Sequence, residues 1–548
     1  MDEKQYLVEL DRSKKKILES KAPRKLVVSG PGTGKTTFFG EAISYYGGKK
    51  DDYLILTFIN NLVDELRRDL GDIAKIYTFH GFCHFLLRKD DNLRSGLRDG
   101  FKYYPPLIEL IKSDWKIFFQ KEPPKFSKLM RNVTDTDELK FFLVRGNYYN
   151  AVGYDDSVFR VYKSLSRGKI LKEEYKLIIV DEYQDFNLLE TSVLLRAIEL
   201  SSALFVGDDD QALYCELRES NPKFLRQLFN EEDFENFELP FCLRCPSAVI
   251  TVFNRIVRIA KENGFLSERI DKRFIFFPPF KGEDSKNYPI VRLVLSSVQK
   301  KTPASNNYFG RYIAQEVKKI PDKEIKQSRE EQFPTVLIIG PRYYFEIIGE
   351  ELKREGYDYK TREEEPSLRV NIDEGFRILS EDRCSNLGWR IVLEKTKPAF
   401  YSEIIPTSVS KEKKLVSLIP KKFVKKLLAD AKSFKEKKQE IIEVVEEIDR
   451  TKPTIQLTTF EGAKGLSAQH VFIVGFQNGI LPKKSDAISD IEVCKLLVAL
   501  TRTRKQCTIL VTKNFCGKWV DASEFMGWVE GEYVQKREID KTYWNTRT

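Results

Sequence analysis

Lys25-Leu26-Val27-Val28 runs straight into Ser29-Gly30-Pro31-Gly32-Thr33-Gly34-Lys35-Thr36, and nothing else in the chain limits its fold as sharply. A short β-rich run, a glycine-rich turn and a helical stretch from Lys35 form a phosphate-binding loop, which requires a parallel α/β sheet beneath it. The glycines let successive backbone N–H groups turn inward onto phosphate oxygens at a helix N-terminus. Lys35 can reach β- and γ-phosphates, and Thr36 offers a hydroxyl to Mg²⁺. Gly30, Gly32, Thr33, Gly34, Lys35, Thr36 and Thr37 are therefore the candidate nucleotide-binding residues. Ser29 stands where the strict pattern has its first glycine.

Such a loop specifies the fuel and leaves the work open. The next informative string is Leu177-Ile178-Ile179-Val180 followed by Asp181-Glu182-Tyr183-Gln184-Asp185. A buried strand delivering two adjacent acids suits a division of labour, with Asp181 as a Mg²⁺ ligand and Glu182 as the group that polarises an attacking water. The glutamate points to hydrolysis and away from small-molecule kinases.

At 548 residues the chain is too long for one ordinary domain, and its length suggests roughly three or four units. Further strand candidates fall in two groups. The first comprises Tyr53–Thr57, Lys75–Thr78 and Leu204–Val206; the second comprises Val336–Ile339, Thr454–Leu457, Val471–Val474 and Thr508–Val511. No run approaches the roughly 18 apolar residues of a membrane span. The charged N-terminus and eight scattered cysteines fit a soluble, cytoplasmic, nucleoid-associated protein and no membrane partner. The formal charge of +10 is a mild pointer to nucleic acid.

Beyond these two strings, motifs accumulate in a fixed order. Thr57-Phe58-Ile59-Asn60-Asn61, Thr78-Phe79-His80-Gly81-Phe82, Gly207-Asp208-Asp209-Asp210-Gln211-Ala212-Leu213-Tyr214, Leu243-Arg244-Cys245-Pro246, Gly462-Ala463-Lys464-Gly465-Leu466 and Val498-Ala499-Leu500-Thr501-Arg502-Thr503 follow one another. Together they resemble the motif series of superfamily 1 DNA helicases of the UvrD/Rep/PcrA type. The resemblance implies two RecA-like P-loop domains with parallel sheets plus two mainly helical accessory insertions. Its expected division is 1–87 with 175–240 as the first domain and 88–174 as a helical insertion. The second domain is expected at 241–360 with 453–520, a basic insertion at 361–452, and a C-terminal tail at 521–548.

The resemblance also implies roles. ATP and Mg²⁺ would lie between the domains, with Glu182, Gln211, Arg244 and Arg502 catalytic and Thr36 and Asp181 on the metal. Gly465 would approach the nucleotide. Phe58, Asn60, His80 and Tyr214 would meet single-stranded DNA, where ring stacking reads no sequence. The implied activity is a 3′→5′ DNA helicase or translocase acting on single-stranded DNA or a 3′-tailed duplex. The alternative is an ATP-switched DNA clamp or sensor within a larger assembly, such as an antiphage defence complex with a protein partner.

Some positions depart from the family pattern. Lys14 occupies the place of an adenine-reading glutamine, and Leu243 that of a base-stacking tyrosine. Cys215 to Arg218, Glu461 and Ser467 differ on the side that grips DNA. Cys242 and Cys245 form one CxxC with no second pair, against structural zinc. Two segments leave alternatives open. Residues 144–169 interleave Arg145, Tyr148, Arg160 and Tyr162, which suits either a nucleic-acid channel or a helical core. The lysine-decorated helix near 421–435 is either a solvated face or a phosphate contact.

Overall fold

The computed structural model describes residues 2–58, 60–298, 308–362, 368–408, 413–437, 451–484, 487–540 and 543. A first sheet contains β1 (Arg24–Ser29), β2 (Tyr53–Thr57), β3 (Lys75–Thr78), β4 (Leu177–Val180), β5 (Ser202–Gly207) and β6 (Glu235–Leu239). Their lateral order is β3-β2-β4-β5-β1-β6, and every neighbouring pair is parallel. Successive side chains alternate between two apolar layers. Val27, Ile55, Ile179 and Leu204 face one layer, and Leu26, Leu54, Ile178 and Phe205 face the other. That burial on both faces is why these strands read as continuous apolar runs.

A second sheet contains β7 (Val291–Val298), β8 (Val336–Ile339), β9 (Tyr359–Thr361), β10 (Ile455–Thr458), β11 (Ala468–Ile473), β12 (Thr503–Phe515), β13 (Lys518–Trp519) and β14 (Val534–Ile539). The order is β9-β10-β8-β11-β12-β7-β14, parallel throughout, with β13 antiparallel on β12. Leu337, Val471 and Ile509 face one layer; Ile338, Phe472 and Leu510 face the other. The fold is α/β with parallel sheets, as the loop and strand runs required.

The expected tail at 521–548 needs correction. Phe525 and Val529 are fully buried in the second sheet's core, and β14 pairs with β7 along its length. Its residues, Val-Gln-Lys-Arg-Glu-Ile, hide the strand because an edge strand carries charge on its open side. The same polarity disguises β6 at the edge of the first sheet.

Helices α1 (Glu3–Glu19), α2 (Lys35–Tyr46) and α3 (Asn60–Leu70) flank the first sheet, and α4 (Phe79–Lys89) leads into the segment expected as the first insertion. There lie α5 (Leu107–Phe119), α6 (Phe126–Arg131), α7 (Asp137–Tyr149) and α8 (Tyr154–Leu165). Residues from the segment expected as the second insertion, among them Trp389, Ile391 and Leu415, join the same apolar core as these helices and one face of the first sheet. Asp114 ties the segments together: fully buried, it accepts from Arg145 Nε and Arg390 Nε at 2.8 Å each and from Tyr149 Oη at 2.6 Å. Arg160 is also fully buried, on Asp156 at 2.8 Å. The 144–169 segment is thus largely a helical core in which Arg145 and Arg160 are structural, with Arg167 exposed at its end. Along the helix Lys421–Lys437, Leu427 is buried while Lys421, Lys422, Lys425 and Lys426 are exposed; the side chains from 431 onward lie outside the described residues. Among the described residues no helix is long and apolar enough to cross a membrane.

Candidate nucleotide cleft and nucleic-acid contacts

Strand order brings the candidate residues together. β1, β5 and β4 are adjacent and parallel, so the turns that follow them open on one edge. Those turns carry the glycine loop, Asp208 to Gln211, and Asp181 with Glu182. The second sheet meets this edge with the opposite ends of its strands: Gly465 to Ser467 precede β11, and Arg502 precedes β12. Between the two edges lies a cleft of about 500 Å³.

Gly32, Thr33, Gly34, Lys35, Thr36, Asp181, Glu182, Gln211, Arg244, Gly465 and Arg502 all line it. Two expected residues do not. Gly30 lies behind the loop, where an added Cβ would meet the Phe274 ring at 2.6 Å. Thr37 is solvent-exposed on the first turn of α2, turned off the cleft by the helical rotation from Thr36.

Lys35 Nζ donates to Glu182 Oε1 at 2.7 Å and lies 3.8 Å from Asp181 Oδ1. Glu182 sits in the left-handed region at φ +53°, a conformation that costs a non-glycine residue on the order of 1–3 kcal/mol. Gln184 holds it there: its amide donates to Glu182 Oε2 and its carbonyl accepts from Asp208 N at 2.9 Å. Burial would raise both acids, but Lys35 and Lys464 outweigh it at Glu182 and hold that carboxyl low. At Asp181 burial wins, reinforced by the neighbouring Glu182 charge, and the group is pushed up to about 7. A buried carboxylate lining the same cleft as Thr36, raised in spite of Lys35, fits an oxygen-liganded divalent cation.

The facing wall is cationic. Gly32, at φ +72°, has the Arg244 side chain against it, and an added Cβ would lie 2.5 Å from Arg244 Cβ. The glycine therefore serves close approach across the cleft as well as the loop's turn. Arg244 Nη1 donates to Thr501 O at 3.3 Å. Arg502, 3% exposed, donates through Nη2 to Gln211 Oε1 at 2.9 Å, and Gln211 Nε2 donates to Asp208 Oδ2 at 2.8 Å. Burial first and the Arg244 charge second pull Arg502 down to about 9, the mark of cations without enough anions beside them.

Two residues of the cleft were not expected from sequence. Lys464 is buried, donates to Gln211 O at 2.6 Å and forms an ion pair with Asp185 Oδ2 at 2.6 Å, linking the acids to the second sheet. It lies in the Gly-Ala-Lys-Gly-Leu motif, where the neighbouring Gly465 is the stronger signal. Arg504 lines the cleft with Arg502, and its guanidinium stacks 3.9 Å from the Phe333 ring centroid. Thr-Arg-Thr-Arg at the start of a strand carried the signal, since period two points both arginines to one face.

The residues expected on DNA group together beside Gln211, with less exposure than stacking needs. Phe58 is 8% exposed, and Arg218 Cζ sits 3.7 Å from its ring centroid. His80 is 6% exposed, wedged between Asp155 and Glu190 at 3.8 and 3.6 Å. Tyr214 is half-buried, 6.1 Å from Phe58 between ring centroids and 5.6 Å from Lys464 Nζ. Asn60 opens α3; its side chain lies outside the described residues. Arg218 Nε and Arg362 Nη1 are buried nearby with no hydrogen-bond partner among the described residues.

Comparison with known proteins agrees with this arrangement. Residues 14–216 match the family described as "AAA domain". A probable DNA helicase II homolog of Mycoplasma genitalium is 22% identical over 94% of this chain and 86% of its own length. The ATP-dependent DNA helicase UvrD1 of Mycobacterium leprae is 27% identical over 38% of this chain, and PcrA of Staphylococcus aureus is 28% identical over 34%. These last two are matched over only 33% and 32% of their own lengths. With the motifs in order and their residues gathered along one seam between two parallel sheets, the chain is similar to the UvrD/PcrA-type superfamily 1 helicases.

Proposed function

We propose that the chain hydrolyses ATP between its two sheets and uses the cycle to move 3′→5′ along single-stranded DNA, displacing the strand of a 3′-tailed duplex. The observation that carries this reading is the cross-seam pair: Arg502 of one wall on Gln211 of the other, opposite Lys35 seated on Glu182. Lys35 exchanges Glu182 for the β- and γ-phosphates, which frees the glutamate to polarise water. Thr36 and Asp181 would hold Mg²⁺. When bound, the ion neutralises charge on the phosphate oxygens. Arg244 and Arg502 face the charge developing on the transferred phosphoryl group. Gln211 contacts Arg502 on one side and lies three residues from Tyr214 on the other, so phosphate occupancy is relayed toward the DNA-facing cluster. There Arg218 lifts from Phe58 and a base takes its place, with Arg218 and Arg362 free to meet phosphates.

Hydrolysis measured with single-stranded DNA, duplex DNA, single-stranded RNA and no polymer, beside strand displacement on 3′- and 5′-tailed duplexes, tests this. Stimulation by single-stranded DNA and unwinding of the 3′-tailed substrate are expected. Stimulation without displacement on either tail would make the chain a clamp, and hydrolysis indifferent to any polymer would sink the motor reading.

A further inference from the structure

Past the cleft, the turn after β5 carries three consecutive buried acids, Asp208, Asp209 and Asp210, converging on one side chain. Lys272 Nζ lies 2.9, 2.6 and 3.0 Å from their carboxylates and is 3% exposed. Lys272 comes from a segment lodged between the two bodies: Leu266 and Phe274 are in the second sheet's core, while Ile270 is in the core of the first. Arg269 completes the joint with paired bonds to Asp210 at 2.7 and 2.8 Å.

One of the three acids leads back to the nucleotide. Asp208 Oδ1 meets Lys272, while its Oδ2 accepts from Gln211 Nε2 at 2.8 Å. The Gln211 side-chain carbonyl oxygen in turn accepts from Arg502. Three adjacent buried carboxylates cannot all stay ionised and inward without a cation among them. Asp209 also pairs with Arg226 at 3.1 Å and Asp210 with Arg269 at 2.7 Å, whereas the one ion pair of Asp208 among the described residues is with Lys272. Asp208 is therefore the acid that must protonate or rotate outward when that cation is removed, and the acceptor that aims Gln211 goes with it.

We propose that Lys272 is a positioning residue for Gln211: by seating Asp208 it aims the Gln211 amide into the cleft and at Arg502. The joint makes the segment between the two bodies part of the first sheet's phosphate sensor. This inference rests on the hydrolytic reading for its kinetic consequence and on geometry alone for its structural one, so the two are tested apart.

Steady-state ATP turnover with single-stranded DNA would be measured for wild type, Lys272→Met, Gln211→Ala and the double variant. Lys272→Met is expected to lower kcat about ten-fold with KM within about two-fold, and to add less than about two-fold in the Gln211→Ala background. Lys272→Arg, which keeps the cation, should regain most of the loss. A purely structural lysine would give multiplicative losses in the double variant, and that result overturns the proposal. So does wild-type turnover in Lys272→Met. Should Lys272→Met fail to fold, Asp208→Asn, nearly isosteric and one charge lighter, is expected to show the same fall and the same non-additivity with Gln211→Ala. Hydrogen exchange supplies the arm that needs no catalysis: amides of 208–213 should exchange about ten-fold faster in Lys272→Met or Asp208→Asn while β1 to β4 stay unchanged. Unchanged exchange overturns the proposal whether or not the wild type hydrolyses ATP; absent wild-type hydrolysis sinks only the motor reading.

Discussion

Lys35 and Glu182 are bonded to each other in the ligand-free cleft, so each variant removes one partner from an already buried pair. Lys35→Ala and Glu182→Gln are expected to reduce DNA-stimulated ATP turnover to background while far-UV circular dichroism stays unchanged; a variant with full turnover would contradict the assigned roles. Asp181 supplies a pH signature. With its carboxyl pushed up to about 7 by burial and by Glu182, protons compete with Mg²⁺ for it below that pH. Apparent Mg²⁺ affinity should therefore weaken by up to about ten-fold per pH unit below 7 and level off above it, which a Mg²⁺ titration of turnover at several pH values would show. At Phe58 the ring is already occupied by Arg218. Phe58→Ala should weaken single-stranded DNA binding by roughly 1–3 kcal/mol if a base replaces the guanidinium, and unchanged affinity would return the ring to the core. The phosphate-facing residues were legible from sequence because backbone geometry dictates glycine at φ +72° and a lysine directly after the turn. Phe58 and His80 were less so, since their exposure depends on Arg218, Asp155 and Glu190, which no local pattern links to them.

Elements were legible in proportion to how completely they are buried. β1, β2, β4, β8 and β11 are covered on both faces and announce themselves as apolar runs. β7 alternates through Arg292 and Leu293 and so lacks a continuous apolar run; β6 and β14 sit at sheet edges, where solvent selects charge. The insertion helices were recognisable as helices, but their arginines read equally as a nucleic-acid lining until Asp114 was seen between Arg145 and Arg390. That node gives a test at this scale. Asp114→Ala leaves two buried guanidinium groups facing each other and should cost about 3–5 kcal/mol of stability, read by chemical denaturation. A loss below about 1 kcal/mol would mean that the segments are held by apolar contacts alone.

On the scale of the molecule, Arg244 and Arg502 on the cationic wall have no ion-pair partner among the described residues and Arg504 has Glu331 at 3.4 Å, so a bound triphosphate would supply charge that the wall is short of. Binding should thus tighten the seam. At a concentration of about 100 times Kd, a non-hydrolysable ATP analogue with Mg²⁺ should add about 2.7 kcal/mol of stability. Arg502→Ala should weaken the analogue's affinity, so that the same concentration raises Tm by less; an equal rise in both proteins would remove Arg502 from the cleft's ligand set. Two sheets, two helical segments and a nucleotide seam were all readable in the chain's order of motifs. Their mutual fit was not, because it is decided by single long-range contacts such as Lys272 with Asp208.

The apolar interior shared by the first sheet and both helical segments has a mechanical consequence. In the proposed motor, both helical segments would travel with the first sheet as one body, and the second sheet would be the other. Displacement in that proposed motor would be absorbed where the chain passes between the two bodies, beginning at Pro240. Stiffening that passage should slow travel along a strand without touching the chemistry that drives it.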